Sequence, residues 1–182
     1  MNYQTIQVDD ISLEVFYDGH AESPRQWDNM TKFIMFHRRY NLPNEVDIHE
    51  QDYSSWDEME AELQQQYKWV YPVFMYDHGG VAFSINAFSC RWDSGQVGFI
   101  VLDDGSAEDA YKCATSELQI YSEYANGNVF GFFVEENGEH IHSCSGFYGS
   151  DFDENGLIEE LKAGLGEEVV TKIKHYIQTS NL

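Results

Sequence analysis

The chain has 182 residues, of which 42% are hydrophobic and 15% aromatic. This length is enough for one sizeable core or two small lobes, and the composition argues against disorder. Its 10 Lys and Arg residues stand against 32 Asp and Glu residues, a formal net charge of −22 at pH 7. Because the few basic residues are scattered along the sequence, the composition disfavours nucleic-acid and anionic-membrane binding and favours a partner with a basic surface. The alternative explanations for the large negative charge are a general contribution to solubility and adaptation to a host with high internal salt.

The cysteines and the hydropathy indicate where the protein works. Cys90, Cys113 and Cys144 form neither a CxxC pair nor an even set for disulfides, and no apolar signal segment begins the sequence. No apolar run approaches the length of a membrane-spanning helix. We therefore expect free thiols in a reducing cytoplasm and no membrane association.

Short strands open the chain. Two strand-like runs, residues 5–8 and 12–17, flank a turn at Asp9-Asp10 and predict a hairpin. A polar loop follows, and the apolar run at residues 32–37 then predicts a buried strand.

The next predicted element is an acidic helix. Ser55 and Glu58 have the spacing of a capping box, and apolar residues then recur every three or four positions, which predicts an amphipathic helix over 55–68. Asp57, Glu58 and Glu62 lie mainly away from the apolar stripe. The outer face of this helix is therefore predicted to be strongly anionic.

A hairpin and a polar turn with a tryptophan follow. Residues 70–84 predict two strands about a turn, and residues 88–101 predict a polar turn that leads into a third strand of the same sheet. Trp92 in that turn has two interpretations. It covers the end of a core, with Arg91 and Asp93 satisfying each other, or it belongs to a recognition loop.

A second helix is predicted to start at Ser106 and to end before Gly127. Ser106 is the expected N-cap, with Asp109 three residues later. Glu108, Asp109 and Glu117 make this helix acidic as well. The acids of its first turn also complement the helix dipole, so part of the local acidity is structural.

The last third combines a hairpin with two short helices. Asn137-Gly138 is the strongest hairpin signal in the chain, and the tail shows two short helical patterns. The whole pattern predicts an α+β fold: a single domain over residues 1–182, with a mostly antiparallel sheet covered by helices.

One acidic segment has the spacing of a calcium loop. Asp151, Asp153 and Asn155 fit the first half of such a loop, but Lys162 occupies the position of the bidentate glutamate. The cage therefore lacks its main anionic ligand. A turn that caps the next helix is the alternative interpretation.

A second candidate metal site lies on a strand. His140, His142 and Cys144 alternate in sequence, so a regular strand would project all three to one face, where they could approach a zinc ion. Neighbouring side chains on one strand rarely complete a tetrahedron without further ligands. Two solvent-facing histidines that lead to a buried cysteine are the alternative, and we expect no metal or other cofactor.

Nucleophilic catalysis would need one of the three cysteines beside a base, and His37, His78 or His175 could supply it. The chain contains no GxSxG, phosphate loop, HExxH or dinucleotide motif. The sequence therefore favours a binding protein over an enzyme, and we predict no catalytic residues.

The surplus acidity suggests a different activity. Carboxylates on two helices can imitate the phosphates of a nucleic acid and compete for the Arg and Lys residues of a nucleic-acid channel. Such contacts are as sensitive to salt as the ones that they replace.

Four motifs carry a resemblance to a known family. They are YDHGG at 76–80, FSCRWDSGQVGFI at 88–100, YSEYANGNVFGF at 121–132 and SCSGFYG at 143–149, and they cover about the middle third of the chain. This set resembles a family of accessory proteins carried by phages and conjugative elements of gut Firmicutes. The length and whole pattern are also similar to those of type II-A anti-CRISPR proteins, which inhibit Cas9.

The resemblance implies an anti-defence protein that binds Cas9, or Cas9 with its guide RNA, stoichiometrically and blocks DNA binding or cleavage. The residues expected to contact the partner are acids of both helices and one apolar anchor: Asp57, Glu58, Glu62, Glu108, Asp109, Glu117 and Trp92. A DNA mimic directed at a restriction enzyme or another DNA-binding protein is the first alternative. A small cysteine- or metal-dependent enzyme is the second.

Overall fold

The computed structural model describes residues 2–179, with side chains described for residues 3–175. Within that range the chain forms eight strands and four α-helices. The strands are β1 (Asn2–Val8), β2 (Ile11–Tyr17), β3 (Lys32–Met35), β4 (Trp69–Asp77), β5 (Val81–Ser84), β6 (Ser94–Leu102), β7 (Val129–Glu136) and β8 (Glu139–Tyr148). The helices are α1 (Trp56–Gln66), α2 (Ala107–Ala125), α3 (Leu157–Leu165) and α4 (Glu167–Thr179). None of these helices is long and apolar enough to cross a membrane.

The strands divide between two four-stranded sheets, and every pairing is antiparallel. The predicted α+β class, with antiparallel strands covered by helices, is therefore confirmed. The contacts of the chain group it into two compact units, the second inserted into the first. The first unit contains the residues up to Glu22 and those from Gly127 onward, and the second unit is Ser23–Asn126.

The first unit is a sheet with strand order β1-β2-β7-β8. Both predicted hairpins are present, and their turns place Asp9 and Asn137 in the left-handed region at φ 52°. Alternate residues of the inner strands, such as Val15 and Phe132, are buried against apolar residues of α3 and α4, such as Leu161 and Ile173. The two short tail helices therefore form where the sequence predicts them, because each carries an apolar stripe that the sheet buries.

The second unit is a three-layer arrangement about a sheet with strand order β3-β6-β4-β5. On one face Phe33 and Met35 of β3 pack with residues of α2. On the other face Ile34 packs with Met59 and Leu63 of α1. Because α1 and α2 cover opposite faces of one sheet, their solvent-exposed sides point in opposite directions.

The two helices of this unit begin at the predicted caps. The Ser55 side chain accepts a hydrogen bond from the Glu58 amide at 3.2 Å. Ser106 and Asp109 form a complete capping box, in which the Ser106 hydroxyl also donates to the Asp109 carboxylate at 2.6 Å. Local side-chain chemistry therefore sets both helix starts.

Candidate partner-binding site

Helix α1 presents a group of carboxylates to solvent. Asp57, Glu58 and Glu62 are exposed, as the sequence predicts, and Asp52 in the preceding turn is exposed too. Tyr53 lies among them. Desolvation, a hydrogen bond to Glu62 and the charges of Asp52 and Glu58 together raise the pKa of its hydroxyl. We call Asp52, Asp57, Glu58 and Glu62 the α1 acidic face.

This face carries negative charge that basic side chains do not neutralise. Among residues 3–175, no Lys, Arg or His forms an ion pair with any of its four carboxylates. The nearest polar contacts come from neutral groups, such as the Gln66 amide, which donates to Glu62 at 3.3 Å. A shallow hollow of 590 Å³ follows the outer side of the helix between Glu58 and Gln66.

Glu58 differs from the other members of the face because it also stabilises the helix start. The hydroxyl and the amide of Ser54 donate to Oε2 of Glu58 at 2.6 Å and 2.8 Å. These hydrogen bonds lower the pKa of the Glu58 carboxyl. Asp57 and Glu62 are therefore the better positions for testing the charge of this face without disturbing the fold.

The acids at the start of α2 are exposed but partly engaged. Glu108 accepts a hydrogen bond from Lys112 at 2.6 Å. Asp109 belongs to the capping box, and the hydroxyl and amide of Ser106 lower the pKa of its carboxyl. This end of α2 is acidic, but less of its charge is free than on α1.

Glu117 is not part of an outer acidic face, which corrects the sequence prediction. Its side chain is 16% exposed, and it accepts hydrogen bonds from Arg25 at 2.6 Å and from the Thr31 hydroxyl at 2.5 Å. Arg25, 7% exposed, also pairs with Glu45 at 2.7 Å and lies over the ring of Phe33. Glu117 therefore holds the segment before β3 against α2. Helical spacing could not reveal this role, because the arginine comes from a distant loop.

Trp92 is 96% exposed, so the interpretation in which it covers a core is wrong. The loop that carries it is nevertheless fixed at several points. The Asp77 amide donates to the carbonyl of Asp93 at 2.8 Å, the Cys90 thiol donates to the Asp93 carboxylate at 3.4 Å, and the Ser94 hydroxyl donates to the carbonyl of Cys90. Asp93 is thus satisfied by the loop and not by Arg91.

The end of the sheet that carries Trp92 also carries three of the chain's ten basic residues, all of them arginines. Arg91 adjoins Trp92 in the loop, and Arg39 lines a cleft of 280 Å³ together with Trp92. Arg38 precedes Arg39, and all three arginines are exposed. We call Arg38, Arg39, Arg91 and Trp92 the arginine corner. The sequence signals for it are the Arg38-Arg39 pair and the polar turn that contains Arg91 and Trp92.

Two carboxylates at the arginine corner have close partners. Asp77 accepts hydrogen bonds from Arg39 at 2.6 Å and from the Tyr40 hydroxyl at 3.0 Å. Asp93 lies 3.3 Å from Nδ1 of His78. The ring of His37 stacks on that of Tyr40 with centroids 5.0 Å apart, so aromatic groups continue along the edge of the cleft.

The residues predicted to form one binding surface lie in separate places. Strand β6 has nine residues and therefore spans about 30 Å, with Trp92 before its start and the acids of α2 beyond its end. The α1 acidic face lies on the other side of the sheet from α2, and Glu117 is internal. A partner cannot contact all seven through one flat interface.

The predicted histidine and cysteine cluster does not form, because β8 contains a bulge. Val134 pairs with His142 and Glu135 with His140, so the register shifts between them. His140 stacks on Phe133 at 4.5 Å, whereas His142 packs against Phe132 at 5.1 Å. Since consecutive residues of β7 point to opposite faces, the two histidines do too, and the expectation that they share one face with Cys144 is wrong.

The segment with calcium-loop spacing is a helix-capping turn, as the alternative interpretation has it. The Asp151 carboxylate accepts hydrogen bonds from the amides of Asp153 and Glu154, both at 3.1 Å. Asn155 accepts one from the Leu157 amide at the start of α3, and Asp153 pairs with Lys174. Within the described chain, no group of three or more His, Cys, Asp or Glu residues could hold a metal ion.

Within the part of the chain that the structure describes, no cysteine thiol hydrogen bonds to a histidine. The Cys90 thiol donates to Oδ2 of Asp93 at 3.4 Å, and Nδ1 of His78 lies 3.3 Å from the same oxygen. The thiol therefore hydrogen bonds to a carboxylate and not to the imidazole, whereas nucleophilic catalysis places the base in contact with the thiol. Cys113 contacts the sulfur of Met30 at 3.8 Å, and Cys144 contacts the carbonyl of Ser145 at 3.8 Å.

Comparisons of the chain with models of protein families, with curated proteins and with solved structures give no match.

Proposed function

We propose that the protein is an anti-defence inhibitor that binds Cas9, alone or with its guide RNA, in a stoichiometric complex through the α1 acidic face. The observation that carries the proposal is the set of exposed carboxylates around Tyr53 without basic partners in the described chain. A cationic groove on another macromolecule would supply those partners. The resemblance of the sequence motifs to a family from phages and conjugative elements points to the same class of function.

The spacing of the acids suits competition with a nucleic acid. Glu58 and Glu62 are four positions apart and are therefore neighbours on one side of the helix, about 6 Å apart along its axis at 1.5 Å of rise per residue. Two nucleotide steps of one DNA strand rise by about 7 Å. This interval is close to the rise between phosphates two steps apart, so the inhibitor would occupy the groove in place of target DNA.

The first prediction concerns the charge of this face. Asp57→Asn combined with Glu62→Gln removes two charges and keeps the shape of both side chains, including a hydrogen-bond acceptor for Tyr53. We expect the inhibitory constant in a Cas9 cleavage assay with guide RNA and target DNA to rise by about tenfold at 50 mM NaCl. At 500 mM NaCl the difference should fall below about threefold, because salt screens the contacts.

A matched control removes two exposed carboxylates from the first unit, as Glu139→Gln with Glu154→Gln. This variant should inhibit like the wild type. Equal inhibition by both double variants at every ionic strength would show that α1 is not the contact. If wild-type protein in tenfold molar excess leaves Cas9 cleavage intact, Cas9 is not the partner, and the same titration with a restriction enzyme tests the DNA-mimic alternative.

A further inference from the structure

All of the exposed arginines of this protein lie at one corner of the second unit. The chain has four arginines, and the described residues include all of them. Arg25 is internal, and the other three belong to the arginine corner. Within the described chain, neither Arg38 nor Arg91 donates a side-chain hydrogen bond or forms an ion pair, and the guanidinium of Arg39 contacts Asp77 and the ring of Tyr40. An otherwise strongly acidic protein thus concentrates its free guanidinium groups in one place.

The corner also presents flat aromatic surface to solvent. The indole of Trp92 is 96% exposed, although hydrogen bonds hold the backbone and neighbours of its loop. The cleft beside it continues to His37, whose ring stacks on Tyr40. An exposed indole on a hydrogen-bonded loop, next to guanidinium groups, can stack on a planar ring while the guanidiniums bind the negative substituents of that ring.

We propose that the arginine corner binds a single-stranded nucleic acid, with a base stacked on Trp92 and adjacent phosphates paired with Arg91 and Arg38. Guanidinium groups match phosphate oxygens in bidentate geometry, and bases of a single strand have free faces for stacking. A peptide of acidic residues alone, such as poly-glutamate, would satisfy the charges but would leave the indole without a stacking partner. The proposal is independent of Cas9, because it uses a different surface from the α1 acidic face.

The net charge of −22 does not prevent such binding. At an ionic strength of 0.15 M the Debye length is about 8 Å, whereas β6 places the acidic start of α2 about 30 Å from the Trp92 end. The nearby carboxylates of Asp77 and Asp93 are already engaged by neighbouring groups. The composition predicts no nucleic-acid binding, but composition contains no information about where the few basic residues lie in the fold.

The test is a fluorescence-anisotropy titration of a labelled 12-nucleotide single-stranded DNA with the full chain at 50 mM NaCl. We expect a dissociation constant between about 1 and 100 μM, in the range of nonspecific binding. Trp92→Ala should weaken binding by about tenfold and Trp92→Phe by much less, because phenylalanine still stacks. Arg91→Ala and Arg38→Ala should each reduce the slope of log affinity against log salt by about 0.7.

Two control variants lie outside the corner in the same unit: Trp27→Ala, which removes a partly exposed tryptophan, and Lys112→Ala, which removes an exposed cation. Both should bind like the wild type, and circular dichroism should show that every variant is folded. Absence of binding at 50 mM NaCl overturns the proposal. So does an affinity that Trp92→Ala and Arg91→Ala leave unchanged, or displacement of the DNA by poly-glutamate at an equal concentration of charge.

Discussion

Among the described glycines of the second unit, Gly98 has the least room for a side chain. It lies in β6, where an added Cβ atom would come within 1.9 Å of the backbone oxygen of Ile34, and its φ of +152° is one that L side chains rarely adopt. Because the opposing atom belongs to the backbone of β3, no side-chain rotation can relieve the contact. The glycine is therefore required by the approach of two strands.

Replacing Gly98 by alanine should destabilise the second unit strongly. We expect Gly98→Ala to lower the free energy of unfolding by about 3 kcal/mol or more, since overpacking of a rigid site typically costs 1–3 kcal/mol and strained backbone adds to it. Urea unfolding followed by circular dichroism measures the change. Gly95→Ala, in the same strand with open space around the new methyl group, should change stability by less than about 1 kcal/mol.

The exposure and the contacts of individual side chains could not be predicted from the sequence. The sequence showed Trp92 as a loop aromatic, and such residues usually pack, but hydrogen bonds of Cys90, Asp93 and Ser94 fix this loop without its indole. Glu117 had the spacing of an outer helix position, yet Arg25, 92 residues away in sequence, draws it into an internal ion pair. Neither outcome follows from local pattern, because each depends on a contact between distant segments.

Helix α2 shows how local chemistry defines an element. The Ser106 side chain accepts a hydrogen bond from the Asp109 amide at 3.2 Å, and the Asp109 carboxylate accepts from both the amide and the hydroxyl of Ser106. These contacts lie within four residues, so the sequence predicted them correctly. The same holds for the turns at Asp9 and Asn137, whose residues tolerate positive φ.

Removing the cap hydroxyl should destabilise the protein in a way that depends on pH. At pH 7 we expect Ser106→Ala to cost about 1 kcal/mol of unfolding free energy. Because the pKa of Asp109 is lowered in the folded state, its stabilisation is fully present above the unfolded pKa of about 3.9 and is lost as the pH falls through the folded pKa. The difference in unfolding free energy between the wild type and Ser106→Ala, measured by urea unfolding, should therefore become smaller below pH 4.

Ser116 provides the control for this prediction. It is an exposed serine in the middle of the same helix, and Ser116→Ala removes a hydroxyl without touching the cap. Its effect on stability should be small and should not change between pH 7 and pH 3. If the loss of unfolding free energy in Ser106→Ala stays constant over this range, the charge of the Asp109 carboxylate does not contribute to the cap.

The assembly of elements into sheets was less predictable than the elements themselves. Strand β2 pairs with β7, although more than 110 residues separate them in sequence, and β3 pairs with β6 across the intervening hairpin and helix. Local periodicity identifies strands but contains no signal for partners at such distances. The bulge in β8 is a second example, because it turns His140 away from His142 despite perfect alternation in the sequence.

For the whole molecule, the pairing of β2 with β7 has a topological consequence. The first unit is completed only when the chain returns at Gly127, after the second unit, Ser23–Asn126, has been synthesised. Both units carry many acids and few bases, so the excess negative charge is a property of the entire chain and not of one segment. A net charge of this size opposes the compact state through self-repulsion.

Salt should therefore stabilise this protein. Raising NaCl from 10 to 200 mM shortens the Debye length from about 30 Å to below about 8 Å, which screens repulsion among carboxylates over the whole surface. We expect the midpoint of thermal unfolding, measured by scanning calorimetry, to rise by several degrees, since about 1 kcal/mol corresponds to 2–4 °C for a chain of this size.

Whether salt raises or lowers the unfolding midpoint depends on the balance between repulsion among carboxylates and attraction within ion pairs. Salt also weakens exposed ion pairs such as Lys172 with Asp9 and Lys112 with Glu108, but such pairs contribute little individually, and 32 acids against 10 bases leave most carboxylates without one. Repulsion should dominate, and the Asp57→Asn, Glu62→Gln variant should gain less from salt than the wild type. A midpoint that falls as NaCl increases would show that the ion pairs outweigh the repulsion.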